Sequence, residues 1–253
     1  MSRVAEKPHG TELLAAFESL RDAAESGDGQ LLDSLIADYR RFVEAVEESF
    51  SPPKRGRPSL PLELGTGIQS KQFMIDLLPY IQDYLSSQKR GTSFRVLDVG
   101  SGTGHGANLL ASLYVADELG YKMSVTSLDI NDLYERYIEV ACRYISFEKQ
   151  NVFAVKRPYD IVVASHVVEH VREATAFCEQ LQNCATGAVF IAAPYEEPAD
   201  NLTSGHVHSL GADFLGRLET RRVDIIESRA WGNFISPPYK MFIAELPGRG
   251  NSM

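Results

Sequence analysis

Apolar positions in this chain first follow a helical period, then alternate between strand and helix patterns from residue 94 onward. Residues 11–26 carry Leu13, Leu14, Phe17 and Leu20 at helical spacing, and Gly27 and Gly29 break the pattern. A second stripe follows, formed by Leu31, Leu32, Leu35, Ile36, Tyr39, Phe42, Val43 and Val46, with charged residues opposite. Both stripes need burial, whether against the main domain, as a lid, or across a homodimer. Residues 51–61 form a proline-rich basic linker. A third helix is predicted over 67–88, with Phe73, Met74, Leu77, Leu78, Ile81 and Leu85 as its apolar face. Strands are predicted at 94–99, 124–129, 159–165, 187–193, 222–228 and 239–246, with helical stretches between most of them. That alternation predicts an α/β fold with a doubly wound, mostly parallel sheet. The last two strands are joined by a segment too short for a crossover helix, so they should form an antiparallel hairpin. The expected organisation is a helical extension with its linker over 1–60 and an α/β domain over 61–253.

Composition narrows the partners. The net charge is -9, and acidic residues outnumber basic ones 11 to 5 in the first fifty positions. An acidic surface repels phosphate backbones, so nucleic acid is not the expected partner. The three cysteines, Cys142, Cys178 and Cys184, lack CxxC spacing and read as reduced, buried thiols. No apolar run approaches the ~18 residues of a membrane span, and no apolar leader is visible, so the expected location is cytoplasmic. Asn201-Leu202-Thr203 matches a glycosylation sequon, which has no meaning there.

The clearest chemistry follows the first strand. Arg95-Val96-Leu97-Asp98-Val99 runs into Gly100-Ser101-Gly102-Thr103-Gly104, and a helix pattern begins near Ala107. Strand, glycine turn and helix in that order let a backbone approach a ligand closely, as in a Rossmann-like fold. Nicotinamide enzymes use a similar loop. Two acids sharpen the reading. Asp98 would suit a ligand ammonium and repel a pyrophosphate. Asp129 ends the strand Val125-Thr126-Ser127-Leu128-Asp129, where a carboxylate can accept both ribose hydroxyls of a nucleoside.

Asp98-Val99-Gly100-Ser101-Gly102-Thr103-Gly104 resembles the glycine-rich motif of class I S-adenosylmethionine-dependent methyltransferases. Tyr159-Asp160-Ile161-Val162-Val163-Ala164-Ser165-His166-Val167-Val168-Glu169-His170-Val171 resembles their fourth-strand segment, in the branch that includes ubiquinone and menaquinone biosynthesis enzymes. The resemblance covers about residues 94–246. It implies that S-adenosylmethionine lies along the backbone of Gly100, Ser101, Gly102 and Gly104, near Asp98. Asp129 would hold the ribose, Ile130 would lie against the adenine, and Ser165 joins the cofactor contacts. Relatives have an Asp just before the fourth strand that meets the adenine amino group. Gln150-Asn151 stands there, and the Asn151 oxygen can accept the same bond.

Histidines supply the remaining candidates. His166-Val167-Val168-Glu169-His170 matches the inverted zinc-peptidase pattern H-x-x-E-H. That motif needs a helix, whereas here it starts at the end of a strand, so the match is a decoy. Some quinone-pathway O-methyltransferases hold a divalent ion at this place with two acids and a His. Here His166 replaces the first acid, while Glu169 and His170 remain, so a divalent metal is one implied cofactor. The alternative is that Glu169 and His170 only orient the next helix. Gly205-His206-Val207-His208 follows the fifth strand, where loops build the substrate pocket. Histidine suits the removal of an acceptor proton, and His166 and His208 are the leading candidates, ahead of His206 and His170. Capping of the helix starting near Gly211 is the competing role for His206 and His208. Trp231, Phe234, Pro237 and Pro238 would wall an acceptor pocket or pack their own loop. Pro53-Lys54-Arg55-Gly56-Arg57-Pro58 matches an AT-hook core, but so few charges would bind DNA weakly. The reading is a methyltransferase acting on a hydroxyl of a small molecule, lipid precursor or glycan. The alternatives are a methyltransferase whose macromolecular partner docks on the N-terminal helices, and a non-enzymatic binding module.

Overall fold

The computed structural model describes residues 60–115, 119–132, 134–203, 205–228 and 240–250. The two predicted N-terminal helices, the basic motif 53–58, and Trp231, Phe234, Pro237 and Pro238 lie outside the described residues. Helix α1 spans Leu60–Ser86. It starts earlier than its apolar stripe predicts, because Pro61 in the first turn has no N–H to leave unpaired. The last residues assigned to the linker are thus helical. Met74, Leu77, Ile81 and Leu85 recur at three and four residues and are buried, while Phe73 and Leu78 are half-buried.

From there the chain runs β1 (Thr92–Val99), α2 (His105–Leu113), β2 (Tyr121–Asp129), α3 (Glu135–Ala141), β3 (Ile145–Lys149) and β4 (Tyr159–Ser165). It continues with α4 (Ala174–Cys184), β5 (Ala185–Pro194), α5 (Ala212–Leu215), β6 (Arg222–Glu227) and β7 (Lys240–Pro247). The seven strands are ordered β3-β2-β1-β4-β5-β7-β6. The pairs among β1 to β5 are parallel, and β7 is antiparallel to both β5 and β6. The doubly wound sheet and the C-terminal hairpin are therefore as expected. Strand β3 is not predicted by the apolar pattern. It is only five residues long and lies at the sheet edge, where burial is partial.

Strand alternation divides the core into two layers. Val162 and Ala164 of β4 join Val189, Ile191, Phe242 and Phe177 on one face. Ile161 and Val163 join Phe190, Met241, Leu77, Ile81 and Leu110 on the other, under α1 and α2. Burying one such side chain contributes roughly 1.5–3 kcal/mol. Cys142, Cys178 and Cys184 are free and buried. Burial pushes the Cys142 thiol up to about 11, which keeps it protonated. Strand order reverses between the parallel strands β1 and β4, so their C-terminal ends open a crevice at the switch point. Among the described residues, no helix is long and apolar enough to cross a membrane.

Candidate active site

The crevice is built around the loop after β1. Gly100, Gly102 and Gly104 have φ of 71°, 51° and 72°, a region that disfavours side chains. Space is also limiting at the first of them. A Cβ on Gly100 would lie 2.5 Å from Val167 Cγ2, so the loop presses directly on the segment after β4. The Gly100 N–H donates to the Leu128 carbonyl at 2.8 Å, which ties the loop to the end of β2. Gly104 caps α2 without a side chain to offer. Instead, the Gly106 N–H donates to Ser70 Oγ of α1 at 3.0 Å.

Two carboxylates flank this loop. Asp129 Oδ2 accepts the Gly102 N–H at 3.2 Å and Oδ1 accepts the Asn131 N–H at 2.9 Å. Asp98 is 5% exposed. Burial, reinforced by the negative charge of Asp129, pushes its pKa up to about 7. A cation placed beside Asp98 would restore its ionised form. Ser101 Oγ, Thr103 Oγ1, Ser127 Oγ and Ser165 Oγ are buried without a hydrogen-bond partner. Buried polar atoms of that kind call for a ligand or water. The cradle therefore suits a ligand with an ammonium at one end and hydroxyls for Asp129 at the other. Ile130 and Phe153 leave large apolar side chains 67% and 55% exposed, flat surface suited to an aromatic ring. Phe153 is not among the sequence candidates, and only its place two residues after Asn151 hints at it. Asn151 Oδ1 accepts the Phe153 N–H at 3.0 Å and caps the short 3-10 turn Val152–Ala154, leaving one lone pair of that oxygen for a ligand.

The candidate histidines lie on the segments that follow β4 and β5, where His170 and His206 meet with ring centroids 4.8 Å apart. His166 ends β4 with φ 56°, an uncommon conformation for a side-chain-bearing residue, and its ring stacks on Phe73 of α1 at 3.4 Å. Its Nδ1 lies 3.3 Å from Glu169 Oε1. Residues 168–170 form one 3-10 turn rather than an α-helix, which removes the peptidase reading. His170 Nδ1 donates to the Gly205 carbonyl at 2.9 Å. His206 Nδ1 donates to Glu197 Oε2 at 2.5 Å, and the Thr203 hydroxyl donates to Glu197 Oε1 at 2.6 Å. Burial raises the Glu197 pKa, but the hydrogen bonds from Thr203 and His206 outweigh it and hold the carboxyl below its ordinary value. His208 Nε2 donates to the carbonyls of Val171 and Arg172, at 3.0 and 2.8 Å. It clasps the loop after β5 to the loop after β4. Neither His206 nor His208 caps α5, whose cap residue is Gly211 with no side-chain bond.

A methyltransferase-domain family model matches residues 37–230 of the chain. No curated protein matches it. Among solved structures, the chain is similar to magnesium protoporphyrin IX methyltransferase from Synechocystis PCC 6803 with bound SAH. The identity is 14%, over 91% of this chain and 99% of that one, with a TM-score of 0.51. It is also similar to the CurJ carbon methyltransferase, at 13% identity over 88% and 72% of the two chains and a TM-score of 0.53. The cyclase SpnF has 13% identity over 67% of this chain and 80% of its own, with a TM-score of 0.50.

Proposed function

The chain belongs to the methyltransferase-domain family, and we propose that its glycine-loop crevice binds S-adenosylmethionine and delivers the methyl group to a hydroxyl of a small molecule. Asp98 is the observation that carries the reading. A buried carboxyl with its pKa raised to about 7 and a second acid nearby is suited to a cationic ligand. It is unsuited to the pyrophosphate of a nicotinamide cofactor. Asp129 engages two backbone N–H groups, and a carboxylate has about four acceptor sites, so capacity remains for ribose hydroxyls. Ser101 and Ser165 add unpartnered hydroxyls. The fold alone does not assign the reaction, since a cyclase shares it.

The cofactor, when bound, supplies an activated methyl on a sulfonium. What remains for the protein is alignment, exclusion of water and acceptance of one proton. His166 is our choice for the proton. Its Nδ1 lies 3.3 Å from the buried Glu169, which would orient the ring once the contact tightens to a hydrogen bond. Strain at its φ fixes the ring beside the glycine loop through its neighbour Val167. His208 is the weaker choice, because Nε2 is committed to two carbonyls and only Nδ1 remains. The porphyrin substrate named for one neighbour supports a small-molecule acceptor; a lipid precursor or glycan hydroxyl is within the same proposal.

The test uses methyl-labelled S-adenosylmethionine with panels of hydroxylated small molecules, glycans and proteins. Label on a small-molecule or glycan oxygen is expected. His166→Gln should lower kcat by about 10²- to 10⁴-fold with unchanged cofactor affinity. Label on a protein instead would replace this acceptor class with a macromolecular one.

A further inference from the structure

The geometry points to a transition-metal site of two histidines and one glutamate, on the loops that follow β4 and β5. One ligand atom each from Glu169, His170 and His206 lies within 4.8 Å of the others. No other group of three such residues converges among the described residues. Three independent features prepare these side chains as ligands.

The first is the state of the imidazoles. A carbonyl can only accept, so the His170 proton sits on Nδ1, facing Gly205. The carboxylate of Glu197 draws the His206 proton to Nδ1 in the same way. With Nδ1 engaged in this way, Nε2 is the nitrogen each ring has left for a metal. Metal-bound histidines regularly donate their other N–H to a carbonyl or carboxylate, which fixes the tautomer and orients the ring. Both arrangements are present here before any ion binds.

The second is Glu169. Its side chain is fully buried, and neither oxygen accepts a hydrogen bond. His166 Nδ1 stands 3.3 Å from Oε1, and no hydrogen bond joins the two. A buried carboxylate in that condition is costly unless it is paired or coordinates an ion.

The third is the way the two loops are joined. The Val207 N–H donates to the Glu169 carbonyl at 2.8 Å, and the His206 N–H donates to the Thr203 carbonyl at 2.9 Å. The loop bearing His206 is thereby held on the turn bearing Glu169 and His170. The two rings meet edge to face, with centroids 4.8 Å apart.

This ligand set differs from the one the family resemblance implies. His206, from a loop distant in sequence, takes part, and His166 does not. Two imidazoles and one carboxylate suit Zn²⁺, Co²⁺ or Fe²⁺ rather than Mg²⁺, which prefers oxygen ligands and retains its waters. Three protein ligands leave a further position open, as in catalytic zinc sites. The proposal does not depend on S-adenosylmethionine or on an acceptor.

The test is a titration of the tag-free full chain, stripped with a chelator, with Co²⁺ followed by its visible d–d absorption and with Zn²⁺ by calorimetry. One ion per chain and a low-symmetry, intense cobalt spectrum are expected, with no displacement by excess Mg²⁺. His206→Ala and Glu169→Gln should each weaken binding ~100-fold or more. Glu197→Gln keeps all three ligands and loses only the group that orients His206, so a weakening of about 10- to 100-fold is expected. Thermal melts establish that each variant is folded; should His206→Ala fail to fold, Glu197→Gln and His170→Ala decide. Absence of stoichiometric binding, the spectrum of aqueous Co²⁺, displacement by Mg²⁺, or equal affinity in folded variants would each overturn the site.

Discussion

Burial sets the character of Asp98 more than its identity as an acid does. Its pKa is raised from 3.8 to about 7, first by desolvation and then by Asp129. A raised folded-state value means that the protonated side chain stabilises the fold at low pH. That contribution is present below the unfolded value and is lost as pH rises through about 7. A tenfold change in proton affinity is worth about 1.4 kcal/mol, so ionising Asp98 costs the ligand-free protein a few kcal/mol. Asp98→Asn should therefore flatten the fall in stability across that window, as measured by denaturant titration at several pH values. The same linkage gives the binding a pH signature. A cationic ligand favours the ionised form, so affinity should rise as pH approaches about 7 and then level off. Below that value, binding should release a proton, which calorimetry in buffers of different ionisation enthalpy detects. Unchanged affinity across the window would remove Asp98 from the cofactor site.

The strand, loop and helix around Gly100 form the element on which the site depends, and the amino-acid pattern alone reveals it. Buried strands show as apolar runs, and a glycine-rich turn ending in a helix pattern has few other uses. Gly100→Ala would meet two penalties, a φ of 71° and a Cβ 2.5 Å from Val167. Gly91 has a φ of 83° but nothing within 4 Å of its Cβ. The left-handed conformation costs roughly 1–2 kcal/mol in either variant. Gly91→Ala should lose about that much stability and keep cofactor binding, whereas Gly100→Ala should lose more and bind poorly. Thermal melts with and without cofactor separate the two. Other elements are less legible. β3 is short and half-exposed, so its alternation of Ile145 and Phe147 with Ser146 and Glu148 is too brief to stand out. The pairing of His206 with Glu197, and the clasp made by His208, depend on how two loops fold against each other. Periodicity carries no information about that. The capping role considered for these histidines fails because Gly211 opens a helix of only four residues.

At the scale of the whole molecule, the two apolar layers and the reversal of strand order put the glycine loop, Asp129 and the histidine loops along one edge of the sheet. Helix α1 links those parts. Ser70 caps α2, and Phe73 stacks on His166. The acidic net charge of -9 is compatible with a small acceptor and a cationic cofactor. The central claim is that this edge is a site for S-adenosylmethionine, and calorimetric titration of wild type and Asp129→Ala tests it most directly. Losing charge-assisted bonds to both ribose hydroxyls, at roughly 1.5–3 kcal/mol each, should weaken binding by at least about 100-fold in the variant, from a single saturable site in the wild type. No binding to the wild type, equal binding to both proteins, or preference for a nicotinamide cofactor would contradict the account.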